Sequence, residues 1–170
     1  MAAERRPGNQ LLLQGVVAGL VAGLVFIVAE VLVTAALGGS VFAPLLLIAS
    51  IVLGPAALPP FPAVDVATAA LIGVVVHAVL ATLYGVVFVY LLATLDLLGA
   101  RSGVLVLFGA VFGFLLYVVN FLVIAPAFFP QFTQVDQFWQ GSVPHVVFFG
   151  VPLGGYVAVA RPGVVAASRS

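Results

Sequence analysis

GVVAGLVAGLVFIVAE, residues Gly15 to Glu30, sets three glycines at four-residue spacing ahead of the only acidic residue in a long apolar run. At about 100° per residue in a helix, Gly19, Gly23 and Glu30 fall within roughly 40° of one another, so the carboxyl continues the stripe that the glycines draw. Small residues at this spacing let helix backbones approach closely in a bilayer. An ionisable group at such a depth is tolerated against a bundle interior or a wet cavity. The stripe is therefore expected to face protein, and the stretch reads as the first of several packed transmembrane helices.

The rest of the composition agrees. Of 170 residues, 65% are hydrophobic and 6% charged, and the mean hydropathy is +1.38, far from the usage of soluble domains. Five basic and five acidic side chains cancel, which leaves no basic surface for nucleic acid. The absence of cysteine excludes disulfides, thiolate metal sites and cysteine-ligated iron–sulfur clusters. The opening MAAERRPGNQ and the small-residue pattern Val33-Thr34-Ala35 imitate a signal peptide. The apolar run of about 27 residues exceeds the 7–15 of a signal sequence and contains Glu30, so it is expected to be a retained span.

Working outward, the chain reads as one transmembrane domain, residues 1–170, with spans at about 11–37, 66–92, 103–125 and 143–160. The first ends at Gly38-Gly39-Ser40. Residues 41–54 are apolar but too short to cross, and suit a re-entrant or interfacial helix with Pro44 in its first turn. Pro55, Pro59, Pro60 and Pro62 stop it, and Asp65 is the expected N-cap of the second span. In the connection from Pro126 to Ser142, Phe138 and Trp139 suit an interfacial belt. Arg5, Arg6, Arg101, Arg161 and Arg169 lie at the termini and the central turn, while the two longer connections carry no Lys or Arg. The positive-inside rule then gives an all-α membrane protein, a four-transmembrane-helix bundle with both termini cytoplasmic, expected in a prokaryotic inner (plasma) membrane.

Gly19, Gly23 and Glu30 recur ninety residues later as Gly109, Gly113 and Asn120. Each of these helices leads into an outer loop bearing proline and phenylalanine and then a helix with one histidine. This pattern suggests a duplicated hairpin, a parallel repeat about an axis along the membrane normal. Gly-x-x-x-Gly pairs at Gly15/Gly19/Gly23, Gly109/Gly113 and Gly150/Gly154 mark close helix packing, within one chain or between copies.

The polar residues of the spans define a candidate cluster: Glu30, His77, Asn120, His145, Tyr84 and Tyr117. Counting inward from the outer ends at 1.5 Å per residue, Glu30 lies roughly 10 Å deep, Asn120 roughly 7 Å, His145 about 5 Å and His77 roughly 15–20 Å. His77 shares its face with Ala70, Gly73, Ala81 and Tyr84. The expected picture is a pocket open to the outside, rimmed by His145, Asn120 and Glu30 with His77 at its floor. The bland role for Glu30 is a carboxyl hydrogen-bonded to Asn120 or a histidine. The functional role is a proton or cation relay or a substrate anchor.

No cofactor is expected. Two histidines on different helices invite a b-type haem, but their depth offset of roughly 10–15 Å and the lack of outer arginines for propionates oppose it. A zinc or copper site at Glu30, His77 and His145 is the other metal alternative. Hydrolase, phosphate-loop and metalloprotease motifs are absent, so no catalytic residue is assigned.

The stretch Asn120 to Gly154, with Asn120-Phe121, prolines in the loop, and His145 three residues before Phe148-Phe149-Gly150, resembles a group of uncharacterised small four-helix prokaryotic integral membrane proteins. The resemblance implies the four-span fold and adds weight to Asn120 and His145, and it brings no activity. The function expected from the sequence is a non-catalytic small subunit or stabilising partner in a membrane complex or homo-oligomer, with the lipid bilayer and other membrane-protein subunits or itself as partners. The alternatives are a proton- or cation-coupled small transporter using Glu30 and His77, and a haem- or metal-binding redox protein.

Overall fold

The computed structural model describes residues 8–59, 64–134 and 138–160. Arg5, Arg6, Arg161 and Arg169, which carry most of the orientation reading, lie outside the described residues, as do Pro60 and Pro62. Every regular element among the described residues is helical. Four helices are long and apolar enough to cross a membrane: α1 (Gly8–Ala36), α3 (Val66–Thr94), α4 (Ser102–Phe128) and α5 (Phe138–Val159). Between the first two lies the shorter α2 (Ala43–Leu53), with a proline in its first turn. Asp65 caps α3 by accepting from the Thr68 amide at 2.9 Å.

The first span starts three residues before the expected Leu11 and the second runs two past Leu92, and the second hairpin differs further. The third span runs on to Phe128, and the fourth begins at Phe138 rather than Val143. Phe138 and Trp139 thus stand exposed on the first turn of α5 instead of in a loop. The cause is that Pro126 and Pro144, which look like helix breakers, are accommodated inside the helices by wider turns. Three π-helical stretches, Val118–Ile124, Phe138–Ser142 and Pro144–Gly150, each end two residues before a proline: Pro126, Pro144 and Pro152. Proline removes one backbone donor and pushes against the carbonyl four residues back. A π turn, bonded five residues back, widens the helix and relieves the clash, as where the Ala125 amide bonds the Asn120 carbonyl and the Val151 amide that of Val146.

Burial along α1 is inverted relative to a soluble helix. The buried positions are Gly15, Ala18, Gly19, Ala22 and Gly23, whereas Leu13, Leu24 and Leu32 are exposed. Large apolar side chains face outward because hydrocarbon is as good a solvent for leucine as a core is, and small residues face inward because close backbone contact is what holds such helices together.

The bundle is two antiparallel hairpins, α1 with α3 and α4 with α5, joined along the contact of α1 with α5. A methyl added at Gly19 would collide with the backbone of Ala81, and one at Gly109 with the backbone of Gly150. The two seams match. Gly19 and Gly23 meet Ala81, with Gly85 and His77 at either end; Gly109 and Gly113 meet Gly150, with Gly154 and His145 at either end. His77 and Ala81 are four residues apart, but His145 and Gly150 are five apart, and the extra residue lies in the π stretch of α5. The hairpins are thus alike in contact pattern, with one widened turn in the second.

At the end holding the α3–α4 turn the bundle is solid, filled by Phe88, Leu92, Leu105, Phe112, Leu153 and Val157. Asp96 turns the chain there with φ of 56°, a conformation that aspartate tolerates better than most residues. At the opposite end α2 lies across α3, Gly73 resting on the backbone of Leu45, and the bundle is hollow.

Candidate functional site

The hollow end encloses a cavity of about 370 Å³. Every helix contributes to it. α1 supplies Phe26 and Glu30, the continuation of its glycine stripe, and α3 supplies His77, Leu80 and Tyr84. Leu116, Asn120 and Phe121 come from α4, and His145 and Phe149 from α5. Its cover consists of Leu47, Ile48 and Ile51 of α2 together with Phe129 and Phe132 from the segment after α4. That cover is tied down where Gln131 Nε2, buried, donates to the Ser50 hydroxyl at 3.1 Å and to the Ser50 carbonyl at 3.3 Å.

Five of the six candidate polar residues, Glu30, His77, Tyr84, Asn120 and His145, therefore line one space. Tyr117 does not. It is buried against Gly141 and stacks on Phe121 with ring centroids 5.8 Å apart, so it supports the cavity wall from behind. A uniformly α-helical α4 would group Tyr117 with the others. The π stretch beginning at Val118 instead changes which face the next residues share with Tyr117.

Hydrogen bonding fixes the chemistry of each group. Tyr84 donates its hydroxyl proton to Asn120 Oδ1 at 3.1 Å, bridging α3 and α4 across the cavity. His77 Nε2 is 2.8 Å from the Gly23 carbonyl oxygen, and His145 Nδ1 is 2.7 Å from that of Gly141. A carbonyl oxygen only accepts, so each of these nitrogens carries the proton. In the neutral rings the remaining nitrogens, Nδ1 of His77 and Nε2 of His145, are acceptors. Asn120 and both histidines thus have partners other than Glu30. Among the described residues no side chain is hydrogen-bonded to the Glu30 carboxyl, contrary to the expectation of a bond to Asn120 or a histidine.

The two imidazoles meet on one ring. Phe26 stacks on His77 at 5.6 Å between centroids, 20° from parallel, and meets His145 edge-on at 4.9 Å. They cannot be farther apart than those two distances together, which reaches only the lower end of the depth offset expected from the sequence. The fourth span begins earlier than that count assumes and carries an extra residue, which sets His145 deeper. Among the described residues no group of three His, Cys, Asp or Glu side chains is placed to hold a metal ion.

Sequence reasoning missed the aromatic lining. Phe26, Phe121, Phe129, Phe132 and Phe149 all line the cavity. The signal that reveals two of them is spacing, since Phe26 stands four residues before Glu30 and Phe149 four after His145.

No protein-family model matches the chain, and neither curated proteins nor solved structures yield a match to it.

Proposed function

We propose that this chain is a multi-pass protein of a prokaryotic cell membrane whose outward-facing cavity binds a small amphiphilic molecule for transfer into or across the bilayer. The observation that carries the reading is the cavity of about 370 Å³ with five phenylalanines and five polar side chains on its wall. Ligand sites are spaces of about 300–1,000 Å³, mostly apolar, with a few placed polar groups. Ionisable side chains within spans mark pathways and binding sites. The distribution of Arg5, Arg6, Arg101, Arg161 and Arg169 supports cytoplasmic termini, and the hollow end then opens outside, with α2 as the re-entrant or interfacial helix that covers it.

A stabilising subunit or homo-oligomer is suggested by glycine seams free to take helices of another chain. Those seams are filled by helices of the same chain, so they do not argue for a partner. A haem between the histidines is opposed by Phe26 packed on both imidazoles.

The test is a thermal-stability screen of the detergent-purified protein against small neutral, anionic and cationic amphiphiles. Binding to the folded state alone raises the midpoint by mass action. At least one class raises it in the wild type and fails to do so in Ile48→Trp, which fills the space beneath the cover. A folded wild type stabilised by none of the classes overturns the reading.

A further inference from the structure

The cavity also bears on what kind of head group it accepts. Resting on the proposal that the cavity binds an amphiphile, we infer that the ligand is a lipophilic amine, bound as its ammonium with the Glu30 carboxylate as counter-ion.

Three independent features lead there. First, the unused hydrogen-bonding capacity is mainly that of an acceptor. His77 and His145 have each committed their N–H to a backbone carbonyl, which leaves a lone pair on each ring. Tyr84 has committed its proton to Asn120. The Nδ2 group of Asn120 remains as a donor, and the Glu30 carboxyl stands with no protein partner among the described residues. A head group that donates several hydrogen bonds matches this set, and an anion does not.

Second, no cation is on hand to bind an acid. The only Lys or Arg among the described residues is Arg101, and it lies at the start of α4, at the opposite end of the bundle from the cavity. An anionic head group brought here would face Glu30 with nothing to neutralise either charge, at a depth where unpaired charge is costly.

Third, the walls suit a cation carried on an apolar body. Phe26, Phe121 and Phe149 present rings around the polar end. Aromatic faces attract ammonium groups within about 6 Å of the centroid, more strongly when water is excluded. The volume, near the lower end for ligand sites, fits one aromatic ring or a short alkyl chain beside the head group.

The experiment is calorimetric titration of the folded protein in detergent with three probes of one size: 2-phenylethylamine, 2-phenylethanol and 3-phenylpropionate. A charge-assisted hydrogen bond is about twice as strong as a neutral one, so the amine is expected to bind at least about tenfold more tightly than the alcohol, and the acid not measurably. In Glu30→Gln the amine falls to the level of the alcohol. If the alcohol or the acid binds the wild type as tightly as the amine, or if Glu30→Gln keeps the preference, the head-group assignment is wrong while the binding reading stands. If no probe binds, the head-group assignment falls, and a negative thermal screen brings down the binding reading with it. The wild-type comparison decides the matter even if Glu30→Gln does not fold.

Discussion

His77 donates its Nε2 proton to the carbonyl oxygen of Gly23, 2.8 Å away on the neighbouring span. The close approach of the two helices there uses the missing side chain of position 23: a methyl would overlap Ala81 and stand 3.3 Å from the same imidazole nitrogen. One glycine thus serves the helix seam and fixes the tautomer of a cavity residue. His145 does the reverse, donating from Nδ1 to Gly141. Nitrogen-15 spectra of histidine-labelled protein at neutral pH are expected to show one ring protonated at Nε2 and one at Nδ1, assigned by His77→Gln and His145→Gln. Two rings of the same tautomer would contradict the geometry.

Glycines inside and outside the seams carry opposite predictions. Gly19→Leu forces a side chain into the backbone of Ala81 and is expected to destabilise by more than about 3 kcal/mol or prevent folding. Gly155→Ala meets open space and is expected to be neutral or to stabilise by about 0.5–1 kcal/mol, because alanine is the better helix former. Melting in detergent with size-exclusion chromatography checks both. A folded Gly19→Leu chain that merely elutes as a smaller species would mean that the seam joins copies instead.

Much of this architecture is legible in the sequence. That Gly19, Gly23 and Glu30 share a face comes from helical period alone, and so does the cap at Asp65 from its place before an apolar run. The four spans come from length and hydropathy. The hidden part depends on turns that no period announces. Pro126 and Pro144 look like helix breakers, and each is absorbed by a π turn. The π stretches before Pro126 and Pro152 change which residues share a face, which separates Tyr117 from Asn120 and sets His145 against Phe26. The cover over the cavity rests on Ser50 and Gln131, eighty-one positions apart, a pairing that only the tertiary fold creates.

The wide turn of α5 is therefore expected to matter for binding more than for stability. Pro152→Ala restores a donor that can bond the Phe148 carbonyl, removing the reason for the π turn and rotating His145 and Phe149 by up to about 100°, one residue of helix. Its melting midpoint should equal or exceed that of the wild type, while affinity for an added amphiphile falls about tenfold or more. Unchanged affinity would show that the turn is incidental to the site.

At the start of α3, hydrogen bonding from Thr68, through its side chain first and its backbone amide second, holds the exposed Asp65 carboxyl below its ordinary value. The charged form is favoured by folding. Its contribution is thus present above the unfolded value, about 3.9, and is lost as pH falls through the lower folded one. Wild-type stability should drop over this acid range by a step that Asp65→Asn, which keeps a capping oxygen, lacks. Parallel curves for the two proteins would refute the cap as a source of acid sensitivity.

The central claim, that the hollow end holds a small molecule, is tested most directly by native mass spectrometry of protein extracted gently from its membrane, before and after addition of 2-phenylethylamine. The account predicts one adduct per wild-type chain and none in Ile48→Trp. A wild-type chain that is folded by circular dichroism yet stays bare with 2-phenylethylamine and with 2-phenylethanol and 3-phenylpropionate alike, or an adduct that persists undiminished in Ile48→Trp, would contradict it.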